Sequence, residues 1–327
     1  MLIARPDGHD LTAADGFSVV DGFSRIVRLG EGLGRSGELS PDAMDRTLEA
    51  LSICANKIAA RRAQHTRCIA TEACRRASNS THFVDRVTQE TGIAIDIISP
   101  EREAELTLLG CSSLLNTGHE RALLFDIGGG STEIQWVEIP RHGNHKGRPK
   151  ALDVISLPVG VVTLAEQHGI GAMTPEIYNA IMQEIGDHLE AFSTRNGIDA
   201  CIAEGSVQML GTSGTVTTLG ALHLDLPRYE RSRVDGLVID FDAISTMCAR
   251  LSELDHAERR DISCIGRGRA DLMLMGCALL RGICRRWPIG KLGIADRGIR
   301  EGLLAEMMQA PGMDASGASV LPVSAPI

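Results

Sequence analysis

Aromatic side chains are scarce in this chain of 327 residues, in which Phe, Trp and Tyr together make up 3%. A protein that stacks nucleic-acid bases needs aromatic platforms, so the scarcity disfavours that class. The net charge of −9 also disfavours nucleic acid, or an anionic membrane surface, as the main partner. The ten histidines form no HxxxH or HExxH pattern, so none is predicted to bind a metal.

Signals for disulfides and for membrane insertion are also missing. The nine cysteines are odd in number, include no CxxC and lie mostly among apolar neighbours. That pattern predicts reduced thiols in a cytoplasm rather than disulfides or a zinc site. No signal peptide is visible, and no apolar run approaches the ~20 residues of a membrane-spanning helix. We therefore expect a cytoplasmic protein without a membrane partner.

The residues that are present predict an α/β fold in two parts. The length suits two domains, and 43% hydrophobic residues can fill two cores. Strand-like runs followed by an α/β/α order occur twice along the chain. We place the first domain at residues 1–118 and the second at 119–297. A helix at 298–310 is expected to pack back on the first domain, and residues 311–327 are expected to be disordered.

Several elements of the two domains can be placed from local patterns. In the first domain, strands are predicted at residues 1–4, 17–20 and 26–29. A helix is predicted to begin at Pro41, after Ser40 as its N-cap. In the second domain, residues 269–285 carry an apolar stripe and are predicted to form a helix.

The most informative segment is residues 123–134, which read LLFDIGGGSTEI. An apolar strand ends in Asp126, and Glu133 comes after the glycines and hydroxyls. Glycines permit a tight turn whose N–H groups face outward, which forms an anion nest suited to phosphate. Two acids beside an anion suggest a divalent cation between them, Mg²⁺ or Mn²⁺. A plain hairpin is the alternative, but it requires neither acid. The predicted phosphate-binding residues here are Gly128, Gly129, Gly130 and Ser131.

A second loop of similar composition occupies residues 211–215, GTSGT, between a short strand and a helix predicted from Val216. Glycines and hydroxyls before a helix N-terminus favour anion binding. An ordinary strand–helix turn is the alternative, although two glycines and three hydroxyls exceed what a turn requires. The candidates for phosphate binding are Gly211, Thr212, Ser213, Gly214 and Thr215.

Four segments match the motifs of a known family in their order and spacing. They are residues 99–106 (SPEREAEL), 126–133 (DIGGGSTE), 211–215 (GTSGT) and 294–304 (IADRGIREGLL). The chain resembles the exopolyphosphatase / guanosine pentaphosphate phosphohydrolase (Ppx/GppA) family over nearly all of residues 1–309. The resemblance implies two actin-like ATPase (ribonuclease H-like) domains with a cleft between them. It also implies a short, two-domain member of the family.

The resemblance implies roles for the acidic residues. Asp126 and Glu133 would hold Mg²⁺, and Glu103 would act as the base that activates water. Glu101 and Glu105 remain alternatives for the base. Turn-capping and exposed positions are the ordinary structural explanations for Asp126 and Glu133, and acids near a helix start also suit the helix dipole.

Basic residues are also implicated. By resemblance, Arg75 falls near the cleft and would bind a phosphate, whereas Arg76 beside it is predicted to lie on the surface. Arg267 and Arg269 fit equally well as contacts to a substrate chain and as an exposed pair at a helix start. The basic loop at residues 140–150 is predicted to be solvated.

The beginning of the chain departs from the family pattern. Members open with a strand and a phosphate loop of the form D-x-G-[ST]-N-[ST]-x-R-L, and Met1–Ala4 match the family's residues just after that loop. Without the strand, we expect unpaired strand edges inside the first domain. The start of the sequence is therefore expected to be misassigned, or the protein to be truncated, with weak activity.

Three functions are compatible with these features. The first is a phosphohydrolase that releases terminal phosphate from inorganic polyphosphate or from guanosine pentaphosphate; the expected binding partners are polyphosphate and guanosine penta- or tetraphosphate. The second is an actin-like kinase or ATPase that uses both loops for ATP. The third is a binding protein for polyphosphate or (p)ppGpp without catalysis, which the missing first loop favours. Glu103 within SPEREAEL favours the hydrolase, and assembly into homodimers is left open.

Overall fold

The computed structural model describes residues 1–6, 16–140, 147–169, 173–266 and 268–309. Its strands are β1 (Leu2–Pro6), β2 (Phe17–Gly22), β3 (Cys68–Ala70), β4 (Ile95–Ile97), β5 (Arg121–Ile127), β6 (Thr132–Glu138), β7 (Lys150–Leu157), β8 (Val207–Thr212), β9 (Val238–Asp240) and β10 (Lys291–Ala295).

The helices occur in the α/β order that the sequence predicts. They are α1 (Leu33–Ser36), α2 (Pro41–Arg61), α3 (Glu72–Arg76), α4 (Ser80–Thr91), α5 (Pro100–Cys111), α6 (Val161–His168), α7 (Pro175–Asn196), α8 (Ile198–Ala203), α9 (Gly214–His223), α10 (Arg231–Val234), α11 (Phe241–Glu253), α12 (His256–Asp261), α13 (Met273–Arg286) and α14 (Ile299–Gln309).

One six-stranded sheet organises the second part of the chain, with the order β7-β6-β5-β8-β10-β9. β5 is antiparallel to β6 and parallel to β8, so two strands that precede predicted phosphate loops lie side by side. Helices α6, α7, α9 and α13 pack in the large core on one face. The other face packs its apolar residues against α5. Both faces are therefore covered, as expected for a central parallel pair.

The first part of the chain lacks the continuous sheet expected of a layered domain. β1 pairs with β2 in one two-stranded sheet, and β3 pairs with β4 in another. Among the described residues, no strand joins β1 to β3, which explains why the sheet is divided. Residues 26–29, predicted as a strand, form none because they cross toward the second part of the chain, where Arg28 bonds to Asp271.

Helix starts agree with the predicted capping chemistry. The hydroxyl of Ser40 accepts a hydrogen bond from Ala43 N at 3.3 Å, and Pro41 occupies the first helical position. Ser99 caps α5 in the same manner, also before a proline. The helix predicted at residues 269–285 was placed too early: it begins at Met273, because residues 268–272 form turns that approach α9.

The last helix packs against an early one through glycines. A Cβ on Gly302 of α14 would overlap the carbonyl oxygen of Leu106, and a Cβ on Gly110 of α5 would overlap that of Gly298. Only glycine permits this backbone contact. Helix α14 thereby lies on the first part of the chain, after the polypeptide has completed the large sheet.

Other expectations from the sequence concern the compartment and the more irregular segments. In the part of the chain that the structure describes, no helix has the length and apolar character needed to cross a membrane. All nine cysteines are free. Arg267, the tail 311–327 and most of the loop 140–150 lie outside the described residues.

Candidate active site

A polar row crosses the six-stranded sheet on the face that α5 covers. The pairing places Glu133 opposite Ser156 on one side and opposite Asp126 on the other, and Asp126 beside Thr212. Directly paired residues point to the same face of a sheet. Gln135, two residues beyond Glu133, bonds the carbonyl oxygen of Ala104 in α5 and identifies that face. We refer to Ser156, Glu133, Asp126 and Thr212 as the polar row.

The glycine-rich loop between β5 and β6 is a tight turn beside the polar row. Gly128 N donates to Ser131 O at 2.9 Å and closes it. The carbonyl oxygens of Gly128 and Gly129 accept hydrogen bonds from the first N–H groups of α6. Within the described residues, the N–H groups of Gly129 and Gly130 bond to no protein acceptor. Two donors therefore remain for an anion, as the anion-nest prediction requires.

Glu133 is buried and held by hydroxyls. Its Oε1 accepts hydrogen bonds from Ser131 Oγ at 2.6 Å and Ser156 Oγ at 2.9 Å. Burial raises the pKa of Glu133, and the two hydroxyl bonds oppose that rise. The hydroxyl of Ser131, which was expected to face phosphate, is thus directed to Glu133 and fixes that carboxylate in the site.

Asp126 has the most perturbed acidity of the polar row. Burial, and then the charges of Glu133 and Glu103, raise the pKa of Asp126 to about 8. Such crowding of carboxylates is unfavourable unless a proton or a cation lies among them. The prediction that the strand ends in Asp126 needs correction, because Asp126 is half-buried and paired within β5, which continues to Ile127.

Helix α5 presents Glu103, rather than its neighbours, to the polar row. The side chain of Glu103 is 14% exposed, while Glu105 is 64% exposed and bonds Arg102. Glu101 is also exposed and lies near Ser99. Burial and the charge of Glu133 raise the pKa of Glu103, and a hydrogen bond from Arg75 opposes the rise. Of the three candidate bases, only Glu103 shares an environment with the predicted metal-binding acids.

Arg75 is engaged by carboxylates instead of standing free for phosphate. Its Nη1 donates to Glu103 Oε2 at 2.8 Å and its Nη2 to Glu72 Oε2 at 3.1 Å. A third bond reaches Ile98 O at 2.9 Å. The Nε atom is buried and has no partner among the described residues, so one donor is unused. Arg75 therefore orients Glu103 in this structure.

Sequence reasoning did not single out Glu72, which connects the two parts of the chain. A Cβ on Gly130 would lie 3.4 Å from Glu72 Cγ, so α3 meets the glycine-rich loop directly. The spacing of Glu72 and Arg75, three residues apart on a helix, was the signal that could have identified the pair.

The second loop presents backbone rather than hydroxyls. Thr212 Oγ1 donates to Arg297 O at 2.8 Å, and Ser213 Oγ accepts from Val216 N at 3.1 Å as the N-cap of α9. The N–H groups of Gly214 and Thr215 lie in the first turn, where a helix has no internal acceptors. An anion at this loop would therefore meet N–H groups and the positive end of the helix dipole.

Arg269 lies over that same helix start. An ideal Cβ on Gly214 would be 3.5 Å from its Cζ, and its Nη1 donates to Thr218 Oγ1 at 3.2 Å. The sequence left Arg269 undecided between a substrate contact and a surface position. Its place beside the second loop adds a cation to the site.

The two acids of the polar row suit Mg²⁺ better than a metal that takes all of its ligands from the protein. Among the described residues, no group of three or more His, Cys, Asp or Glu side chains has the arrangement to hold a metal ion. Mg²⁺ characteristically uses one or two carboxylates and completes its shell with water and substrate phosphate. Asp126 and Glu133 supply that number, from directly opposed strand positions.

The fold is α/β, and its two glycine-containing loops follow the neighbouring central strands β5 and β8. The chain belongs to the Ppx/GppA phosphatase family, which it matches over residues 3–310. Sequence reasoning had reached the same family from the four motifs, and that identification is confirmed.

Named relatives within the family differ in length. The chain is 30% identical over 291 residues to a guanosine-5'-triphosphate,3'-diphosphate pyrophosphatase of Vibrio cholerae, covering 88% of this chain and 54% of the relative. It is 26% identical to exopolyphosphatase 2 of Mycobacterium tuberculosis, covering 86% of each. The chain thus spans about half the length of the first relative and most of the second.

Solved structures confirm the α/β fold class. A family member from Aquifex aeolicus aligns with a TM-score of 0.72 at 26% identity, over 94% of this chain and 92% of that one. An exopolyphosphatase from Cytophaga hutchinsonii aligns with a TM-score of 0.78 at 21% identity, over 94% and 93%, and at that identity supports the fold alone.

Proposed function

We propose that this chain is a Mg²⁺- or Mn²⁺-assisted phosphohydrolase that releases the terminal phosphate of inorganic polyphosphate or of guanosine pentaphosphate. The observation that carries the proposal is the position of Glu103. Its carboxylate is bonded by Arg75 at 2.8 Å and lies close enough to Asp126 for its charge to raise the pKa of Asp126. The adjacent glycine-rich loop offers the N–H groups of Gly129 and Gly130, which have no acceptor among the described residues. The names of the relatives, an exopolyphosphatase and a pyrophosphatase, support this substrate class.

The proposed reaction is an in-line attack of water on the terminal phosphorus. Glu103 accepts a proton from the water as the new P–O bond forms, and the bridging P–O bond breaks to leave the shortened chain. The raised pKa of Glu103 suits this role, because a base works best when its pKa approaches the ambient pH. Arg75 fixes the direction in which the carboxylate points.

Asp126 and Glu133 would hold the cation, whose chemistry is to neutralise phosphate charge. The N–H groups of Gly129 and Gly130 would bind the terminal phosphoryl group, and the start of α9 with Arg269 would bind the next phosphates of the chain. We also propose a cytoplasmic location, which the nine free thiols support.

The test measures phosphate release over time from polyphosphate and from guanosine pentaphosphate, with Mg²⁺ and with EDTA. We expect release from at least one of the substrates, and only with the cation. Binding without release would favour the non-catalytic sensor, and ADP formation from ATP with an acceptor would favour the kinase.

A further inference from the structure

Tyr229 is the most exposed aromatic side chain of this protein, at 36%, and it lies beside the second loop. Burial, and then the carboxylate of Asp296, raise the pKa of the Tyr229 hydroxyl, while Thr217 and the charge of Arg269 oppose the rise. Thr217 belongs to the first turn of α9, which Arg269 overlies. Tyr229 is therefore next to the place where the second phosphates of the substrate are proposed to bind.

The ring of Tyr229 is held in place by its hydroxyl. The Oη atom donates a hydrogen bond to Asp296 Oδ2 at 2.5 Å. Asp296 is itself half-buried, and its backbone N donates to Asp235 Oδ1 at 2.9 Å, which fixes the acceptor. Because the hydroxyl is committed to Asp296, the part of Tyr229 that remains for a ligand is its aromatic ring.

The two loops and the partner of Tyr229 follow three neighbouring parallel strands, β5, β8 and β10. Asp126 is paired with Thr212, and Thr212 with Ala295, which Asp296 follows directly. The carboxyl ends of these strands meet at one edge of the sheet. Since strands lie about 4.8 Å apart, Asp296 is roughly 10 Å from Asp126 along that edge. The order along the edge is the glycine-rich loop, the second loop and then Tyr229.

The charges around Asp296 do not favour a further phosphate. Arg231 Nη2 donates to Glu301 Oε1 at 2.7 Å, and Arg297 Nε donates to Asp235 Oδ2 at 2.9 Å. Both guanidinium groups are thus engaged by carboxylates, and an additional anion would be repelled by the three acids. The remaining cations of this segment are exposed, so solvent screens their charges: Arg228 and Arg233. An uncharged group with a flat apolar face fits this position better.

We propose that the ring of Tyr229 stacks on the base of guanosine pentaphosphate and makes this chain favour that substrate over inorganic polyphosphate. The inference rests on the proposed function, in which the glycine-rich loop binds the terminal phosphoryl group and the second loop binds the next phosphates. The nucleoside is then the next group along the edge, whereas polyphosphate would place another phosphate there. One ring is sufficient for one base, so the scarcity of aromatic residues does not oppose this role.

The kinetic test uses the full chain with Mg²⁺ and compares kcat/KM for guanosine pentaphosphate with kcat/KM for polyphosphate. We expect Tyr229→Ala to lower the ratio of the first to the second about tenfold, on the scale of losing one stacked base. Tyr229→Phe keeps the ring and should retain most of the wild-type ratio. Tyr229→Leu keeps apolar bulk without an aromatic face and should resemble Tyr229→Ala.

A binding measurement gives a readout that needs no turnover. Isothermal titration calorimetry compares guanosine tetraphosphate with inorganic tetraphosphate, which has the same number of phosphates but no base. The wild type should bind the nucleotide about tenfold more tightly, and Tyr229→Ala should lose that preference. Leu152→Ala truncates a side chain that is 44% exposed on β7, an edge strand on the far side of β5, and should keep it. Circular dichroism and Tm establish that each variant is folded, and the wild-type comparison requires no variant.

Three results would overturn the role of Tyr229. The first is equal affinity of the wild type for the two tetraphosphates. The second is an equal loss of kcat/KM on both substrates in Tyr229→Ala, which would make the residue structural. The third is a loss in Tyr229→Phe as large as in Tyr229→Ala, which would assign the effect to the hydroxyl. If the wild type releases phosphate from neither substrate, the proposed function fails, and calorimetry alone decides whether Tyr229 binds the base.

Discussion

Glu103 is the residue whose surroundings most directly predict a chemical role. We expect Glu103→Gln to reduce phosphate release by roughly 10²–10⁴-fold, because a positioned general base contributes on that scale. Glu105→Gln, on the same helix but 64% exposed, is the matched control and should retain wild-type turnover. Steady-state kinetics with polyphosphate measure both. Loss of activity in Glu105→Gln alone would identify Glu105, and not Glu103, as the base.

Asp126 links the site to stability through its proton. Its pKa is about 8 in the folded chain and about 3.9 in an unfolded one. Between those values the folded state holds a proton that the unfolded state has lost, so the free energy of unfolding falls as the pH rises from about 4 to 8. Asp126→Asn has no such proton. In EDTA, we expect its Tm to exceed that of the wild type at pH 8 and the difference to shrink toward pH 5.

Calorimetry at several pH values tests this expectation, and Mg²⁺ provides the control. Added Mg²⁺ should raise the Tm of the wild type at pH 8 and have a smaller effect on Asp126→Asn, because a ligand of the cation is gone. If the Tm values of the two proteins change with pH in the same way, Asp126 titrates as an ordinary carboxyl.

The sequence was sufficient for residues that a local motif brings together. Asp126 and Glu133 flank one tight turn, so their proximity can be inferred from the spacing alone. The partners of Arg75 were not accessible in this way, because Glu103 lies 28 positions further along the chain. The same holds for Ser156, which reaches Glu133 only through the pairing of β6 with β7.

At the scale of elements, the contact between α5 and α14 is the most constrained. We expect Gly302→Ala to lower the free energy of unfolding by about 1–3 kcal/mol, the usual cost of overpacking, since its Cβ would overlap the backbone of α5. Gly186→Ala in α7 is the control: apart from its own helix backbone, no atom of the described residues lies within 4 Å of its Cβ position, and alanine should stabilise by about 0.5–1 kcal/mol. Urea denaturation measures both. Equal effects would mean that the α5–α14 contact relaxes without cost.

Elements were predictable where periodicity or a cap was strong. Helix α2 begins at the predicted pair of Ser40 and Pro41. Helix α11 was not predicted, although Ile244, Cys248 and Leu251 form a buried stripe at helical spacing. The divided sheet of the first part was signalled only by the expectation of unpaired edges, since strand pairing depends on partners distant in sequence.

At the scale of the whole molecule, Arg28 ties the two parts of the chain together. Its Nη2 donates to Asp271 Oδ2 at 2.9 Å, with side chains 22% and 20% exposed. We expect a double-mutant cycle of Arg28→Ala and Asp271→Ala to give a coupling of about 1–2 kcal/mol. The more exposed pair Arg86 and Asp45 should give about 0.2–0.5 kcal/mol. Similar couplings would mean that the tie between the parts is no stronger than a surface ion pair.

The position of α14 has a consequence for how this protein is made. The helix completes the first part of the molecule, where it packs on α5, yet it is translated only after β10, the last strand of the large sheet. Domains commonly fold in order of synthesis, amino-terminal first. The apolar surfaces of α5 and β1 on which α14 packs therefore stay exposed while the strands of the large sheet are translated. The nascent chain thus depends on α14 to end a long exposure to chaperones and to aggregation.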